Sequence, residues 1–510
     1  IDERDSVELN RVSTQDGWID IDAAGDITVT HVESLTDKDS NDVTLHSTGG
    51  DILIDRLDAG LRFGDVFLNA DSGGIDEVSP SDGGVDLIAD NLEVKAAHSF
   101  GGSSAIETEL NTATVEVFGK GGIGFNEQSS IVLNSLTTLE GRIDVTAGSN
   151  VKAHQISSFV DSAGSSMSFE AGGSFHFDSI IAGLSSQAPS VPAAGASVSI
   201  KAGRIQEYGD DAAIDLRGKS LELTSTSGGI GTLNNGIEIT GSQLSSVSRA
   251  GANVLQNFAD VPVRIDHLEA QQGTVLFEQF GGSTVIDSLK NGFGDVDVFQ
   301  YGGGNLFIGN ATLGNGDLMA NVQNAGRLGF ESGSINGDVF LKADEMDFPG
   351  SPKSISGTGA LRILHDDPRN ATYVNPYHGE SDMLYQLEVD SFSLARLDFD
   401  QIFFLGNVLF AMPHMEKSGI NSDTDSSGGK LESWEIDLLG GASTYTFSDQ
   451  GPDWQSQISV SSIDSELSLY DYVDHLGYSP QGVTGLEPSS SNQFGLATND
   501  PRFEKIFENY

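Results

Sequence analysis

The residues best placed to do chemistry lie in the segment "NSDTDSSGGKLE", residues 421–432. Asn421, Asp423, Asp425 and Glu432 fall at positions 1, 3, 5 and 12 of an EF-hand-like calcium loop. Oxygen ligands at alternate residues can converge on one hard cation, and a distal Glu can close its shell. The pattern is incomplete, because Ser426 stands where that loop needs Gly and no helical pattern flanks it. Calcium is the cofactor expected here. A solvated acidic loop is the competing reading. Asp37, Asp39 and Asp42 in "TDKDSND" offer a weaker set, read first as a solvated turn.

A second chemistry to weigh is carbohydrate cleavage. Hydrolases need paired carboxylates, and lyases need Lys or Arg beside a uronate. The best carboxylate pair is Asp366–Asp367 in "HDDPRN", with His365 and Arg369 adjacent. Neighbouring residues in an extended strand point opposite ways, and Asp-Pro-Arg-Asn reads first as a turn. The ten histidines show no metal-binding spacing. The expectation is that the chain is not an enzyme, with a carbohydrate-active lyase or hydrolase as the alternative.

Composition narrows the partners. The net charge is −49, from 75 acidic and 26 basic residues, which excludes nucleic-acid binding and attraction to anionic membranes. The absence of cysteine removes disulfides and thiol chemistry. A large exported protein without disulfides needs a repetitive hydrogen-bonded core. The most apolar run, "IFFLGNVLFAM" at 402–412, is too short to span a bilayer, so no membrane insertion is expected. The chain opens at Ile1 without Met or a charged-then-apolar leader, and reads as a processed or excised piece.

The elements that must position any site are short strands. "GDVFLNAD" at 64–71 returns as "GDVFLKAD" at 337–344, and both belong to a looser pattern of Gly, polar, then alternating apolar residues. Alternation over five or six positions marks strands with one buried face. Val275, Val296, Leu318 and Val339 step by 21, 22 and 21, and Val285, Leu306 and Leu328 step by 21 and 22. Such a period with two or three strands predicts an all-β parallel β-helix, right-handed by the crossover rule, with about 21 residues per coil and a mixed C-terminal cap. Roughly sixteen coils would make a rod of about 75 Å. Asp65, Asp295, Asp317 and Asp338 read as turn residues before strands, since nothing repeats at nine as calcium-binding nonapeptides require.

"GDITVTHVES", "GDILIDRLDAG" and "SGTGALRI" resemble the coils of filamentous-haemagglutinin-like exoproteins and the giant repetitive surface proteins of Gram-negative bacteria. The resemblance covers roughly residues 10–440. It implies export to the bacterial cell surface, adhesion or a role as a rod, and no catalytic residues. By the same resemblance, residues 391–399 form a helical corner carrying Leu394 and Leu397, and 401–405 resume the solenoid. The insertion between Ile363 and Ser391 and the aromatic tail depart from it.

The organisation expected is a shaft over 1–365, terminal coils with the acidic loop over 366–440, and a cap or subunit-contact segment over 441–510. Within the last, 468–477 reads as a short helix with Tyr470, Val473 and Leu476 on one face. A solenoid end leaves strand edges open, so it is capped or paired with another chain. Self-association head to tail, the N-terminal strand at 1–11 against the C-terminal segment, is the expected partnership. Cell-surface glycans are the other partners considered.

Overall fold

A computed structural model describes residues 1–366, except 80–82, 103, 185–188 and 210–212, together with 395–399 and 401–404. Strand backbone alone is described at Ala371–Asn375, Leu387–Asp390, Asn407–Phe410, Ser443–Thr446 and Ser459–Ser462. The chain is a parallel β-solenoid of about 16 turns with about 22 residues per turn. At a strand spacing of about 4.8 Å this is a rod of about 75 Å.

Alternation decides what faces inward. Ile19–Ala23, Val43–Ser47 and Val66–Ala70 each bury every other residue and stack in register. On a neighbouring face one inward residue per coil forms a continuous column. It runs from Val7 through Ile27, Ile52 and Ile75 to Ile286, Ile308 and Phe330. Each fully buried Ile or Leu contributes about 1.5–3 kcal/mol. No single coil could bury its own face, so stability comes from stacking. Where the column at the sheet's end turns polar, amides continue the ladder. Asn257 donates to Gln279 at 2.9 Å, and Gln300 donates to the carbonyls of Gly281 and Gly282.

The twin octamers lie on one ladder, at Val66–Ala70 and Val339–Ala343. Their glycines are required by close approach. A Cβ on Gly64 would sit 1.9 Å from the carbonyl oxygen of Ala59, and one on Gly337 would sit 2.2 Å from that of Gly316. Their aspartates do more than turn the chain. The Asp295 carboxylate accepts the N–H of Asp317 at 3.1 Å, Asp317 accepts that of Asp338 at 2.7 Å, and Asp338 accepts that of Ala360 at 2.7 Å. Asp42 accepts the N–H of Asp65 in the same way at 3.1 Å. Each carboxylate thus ties its corner to the next coil. Burial and the flanking Asp295 and Asp338 push the Asp317 carboxyl above its ordinary range.

The period breaks in two informative places. The excursion after Ala182 is pinned rather than loose. Asp161 accepts N–H bonds from Ala194, Gly195 and Ala196, and Arg217 Nε donates to the Val191 carbonyl. The second break corrects the helical corner expected at 391–399. Leu397–Leu405 is a strand, and Leu397, Asp398 and Phe399 pair with Ile355, Ser356 and Gly357. A Cβ on Gly357 would meet the Phe399 ring at 2.1 Å, so this glycine makes room for the ring that locks the strand in place. As expected, 401–405 continue the solenoid by pairing with 360–364. Residues 391–394 lie outside the described residues.

The first strands of the sequence pair with the coil that follows them. Asp2–Glu3, Val7–Leu9 and Val12–Thr14 pair only with the following coil among the described residues. Val7 N–H donates to Asp26, and the Leu9 carbonyl accepts from Thr30. Alternation therefore aims the N–H and C=O of Glu8 outward along the axis. At the other end, the antiparallel pair Ser443–Thr446 and Ser459–Ser462 lies alongside Leu397–Leu405.

Candidate functional site: two buried carboxylate triads

The sequence-derived candidates that fall among the described residues do not converge. Asn421, Asp423, Asp425 and Glu432 lie outside the described residues, as do Asp367, Arg369 and the segment 468–477. His365 is buried and pairs with Asp344 at 3.3 Å, while Asp366 pairs with Lys342 at 3.1 Å and accepts the N–H of Asn324. Asp37 accepts the N–H groups of Arg62 and Phe63, and Asp42 serves the corner ladder. These aspartates fasten coils rather than gather round an ion.

Two triads that the sequence reading missed do converge. Glu77, Asp86 and Glu107 bring one carboxylate oxygen each within 4.8 Å of one another, and so do Glu207, Asp215 and Glu238. The two are built alike. A strand ends in an inward glutamate, in "IDE" at Ile75–Glu77 and "IQE" at 205–207. A short excursion then leads to an aspartate at the next corner. That aspartate accepts the N–H of an outward glutamate one coil on, Glu107 on Asp86 and Glu238 on Asp215, at 3.2 Å in both. Each aspartate thus makes the same kind of coil-to-coil bond as the corner aspartates described above, at another corner. The signal was present in the sequence, since period-two alternation puts Glu77 and Glu207 on the same side as Ile75 and Ile205.

Burial changes the acidity of these groups. Burial, with the Glu107 carboxyl bonded beside it, pushes Asp86 up to about 7. Burial, with Glu238 bonded to it and the charge of Glu207, pushes Asp215 up to about 9. Like charges this close in a dry site cannot all stay ionised. A shared proton or a cation could each relieve the repulsion, and the donor set is all oxygen, suited to a hard cation. Glu127 shows the contrast. It too faces inward, from "FNE", but accepts from Thr108 Oγ1, Leu110 N–H and Ser129 at 2.9–3.0 Å. One inward glutamate is satisfied by donors, and the others stand against carboxylates.

Among the described residues neither triad forms an open cleft. Glu77, Asp86, Glu207, Asp215 and Glu238 are all buried, and only Glu107 is partly exposed. A stack of aromatics lies on the surface elsewhere on the rod. Phe258 stacks on Phe280 at 4.6 Å and 9°, and Phe280 on Tyr301 at 5.1 Å and 23°. These rings face one another, while Trp18, Phe118, Phe159 and Phe293 are exposed elsewhere. Lys152 sits 3.9 Å over the Tyr208 ring, beside His154, which pairs with Asp178 at 2.6 Å. Among the described residues no helix is long and apolar enough to cross a membrane.

No family model matches this chain, and neither a curated protein nor a solved structure matches it.

Proposed function

We propose that the chain is a non-catalytic structural rod of a bacterial cell surface or extracellular matrix, joined end to end into filaments and working as an adhesin or matrix subunit. The observation that carries this reading is the solenoid itself, about 16 coils stacked in parallel over continuous apolar columns, which makes a stiff shaft. An unpaired parallel edge is a template for another chain. Its contact with the C-terminal end of a second copy is heterologous, so it propagates instead of closing. The resemblance to haemagglutinin-like exoproteins supports export and surface location. The acidic surface suits a large extracellular shaft that must not aggregate sideways. Glycans of other cells are the partners such a shaft would meet.

Electron microscopy of the purified chain, with calcium and then with chelator, tests the proposal. Rods joined end to end are the expected result. Single rods of one chain length under both conditions would remove the filament reading and any role for calcium in it. The carbohydrate-active alternative rests on the partly exposed Glu107 beside Glu77 and Asp86. Incubation with acidic and neutral polysaccharides tests it. New reducing ends, lost in Glu107→Gln, would replace the structural reading with an enzymatic one.

A further inference from the structure

In a chain dominated by carboxylates, the outer side of Val151–Ser158, Ser174–Ile181 and Arg204–Glu207 gathers hydrogen-bond donors. Lys152, His176 and Gln206 stack there in register. His154, Asp178 and Tyr208 follow two residues later along the chain, on the same side by alternation. Contacts tie the two columns together. His154 Nδ1 pairs with Asp178 at 2.6 Å, and His176 Nε2 meets Gln206 Oε1 at 3.2 Å. Lys152 Nζ lies 3.9 Å from the centre of the Tyr208 ring, and the His154 ring meets Tyr208 edge-on at 5.9 Å.

What these contacts leave over is reachable from solvent. Lys152 makes no ion pair among the described residues, and its ladder neighbours are Val132 and His176. Lys38, Lys120 and Lys201 each sit on a carboxylate instead. The Tyr208 ring holds the Lys152 ammonium without neutralising it. Bonded through Nδ1, His154 keeps Nε2 for a further partner. The Gln206 amide nitrogen and the Tyr208 hydroxyl have no partner among the described residues. Tyr208 is exposed and the other five side chains are half-buried.

We infer that this cluster binds a sugar residue carrying one carboxylate. Lys152 meets the carboxylate in a charge-assisted bond. The Gln206 amide, the Tyr208 hydroxyl and the second Asp178 oxygen supply the mixed donors and acceptors that ring hydroxyls require. Net charge narrows the ligand further. At −49 the shaft repels a polyanion, whereas a single carboxylate on an otherwise neutral glycan meets one unpaired cation. The inference rests on the glycan partnership proposed above and places it on the shaft's side, away from the ends that join.

Titration calorimetry of the full chain with methyl glucuronide and N-acetylneuraminate tests it, with methyl glucoside as the neutral control. At least one acidic sugar is expected to bind, on the order of tenfold or more tighter than the glucoside. Lys152→Gln should weaken that binding on the order of tenfold and Gln206→Ala about threefold, so either folded variant decides. No binding of either acidic sugar, equal affinity for the glucoside, or undiminished affinity in a folded variant would overturn the inference. Displacement of the sugar by an equal concentration of inorganic sulfate would also overturn it, because any anion would then suffice. Filament formation is read separately by electron microscopy. Failure of binding leaves the end-to-end reading standing, and single rods that still bind the sugar leave the site standing.

Discussion

Lys152, His176 and Gln206 stand one above another on the outer side of the sheet that, further along the rod, carries Asp297, Met319 and Phe340. The ladder is continuous between them through Ile205, Ile230 and Asn253. In the first stretch the outward residues are half-exposed and satisfy one another, as in the His154–Asp178 pair. In the second they are buried, the apolar Phe299, Met319 and Phe340 alternating with Asp297, Asn321 and Lys342, and the Asn321 amide has no hydrogen-bond partner among the described residues. Backbone geometry is shared, so it is not the cause. The difference lies in which side chains the repeat places outward. A β-solenoid has one interior by construction, and this one has acquired a second buried face.

The largest effect expected comes from truncating the covered face. Phe299→Ala should cost about 3–5 kcal/mol, as for a buried aromatic, while His176→Ala should stay within about 0.5 kcal/mol. Urea unfolding of the two variants checks this, and equal costs would erase the contrast. The next effect separates covered from open carboxylates. Asp215 holds its proton up to about 9 in the folded chain, against about 4 when unfolded. The folded state therefore binds the extra proton, and this contribution is complete near pH 4 and lost as pH rises towards 9. Asp215→Asn should match the parent at low pH and melt higher than it at pH 9, in thermal scans across that range. A parent whose melting temperature rises steadily from pH 5 to 9 relative to the variant would contradict the burial of this triad.

Smaller effects sharpen the same comparison. Asn321→Leu, which removes a buried amide that has no partner, should be neutral or stabilising by about 1 kcal/mol in chemical denaturation. The same change at an exposed outward site such as Thr146 should give no gain. Smallest of all, His154→Ala breaks a solvent-facing pair and should cost about 0.5 kcal/mol or less, shrinking further in high salt.

The solenoid was legible because two periods coexist, one of two residues within strands and one near 22 between coils. Val7, Ile27 and Ile52 announce their column by spacing alone. The covered flank was written in the same repeats, in "VDVFQ", "LMANV" and "VFLKA", where one outward position of each strand, Phe299, Met319 or Phe340, is also apolar. Reading those strands only for their inward residues hides it. The triads were missed because a glutamate scores as surface wherever it falls, although Glu77 and Glu207 share the phase of buried isoleucines. The helical corner failed for the opposite reason. "SLARL" is locally helical in propensity, yet pairing of Leu397–Phe399 with the preceding coil and the fit of Phe399 over Gly357 override it.

The end-to-end claim is tested most directly at Glu8. Its N–H points away from the coil that follows and contributes nothing to it, so Glu8→Pro removes a donor that a second copy would use while sparing that coil. Sedimentation velocity of parent and variant at matched concentrations gives the answer. The account predicts a ladder of end-joined species for the parent and single rods for Glu8→Pro, with equal melting temperatures. Identical distributions for the two, whether both assembled or both single, would contradict it.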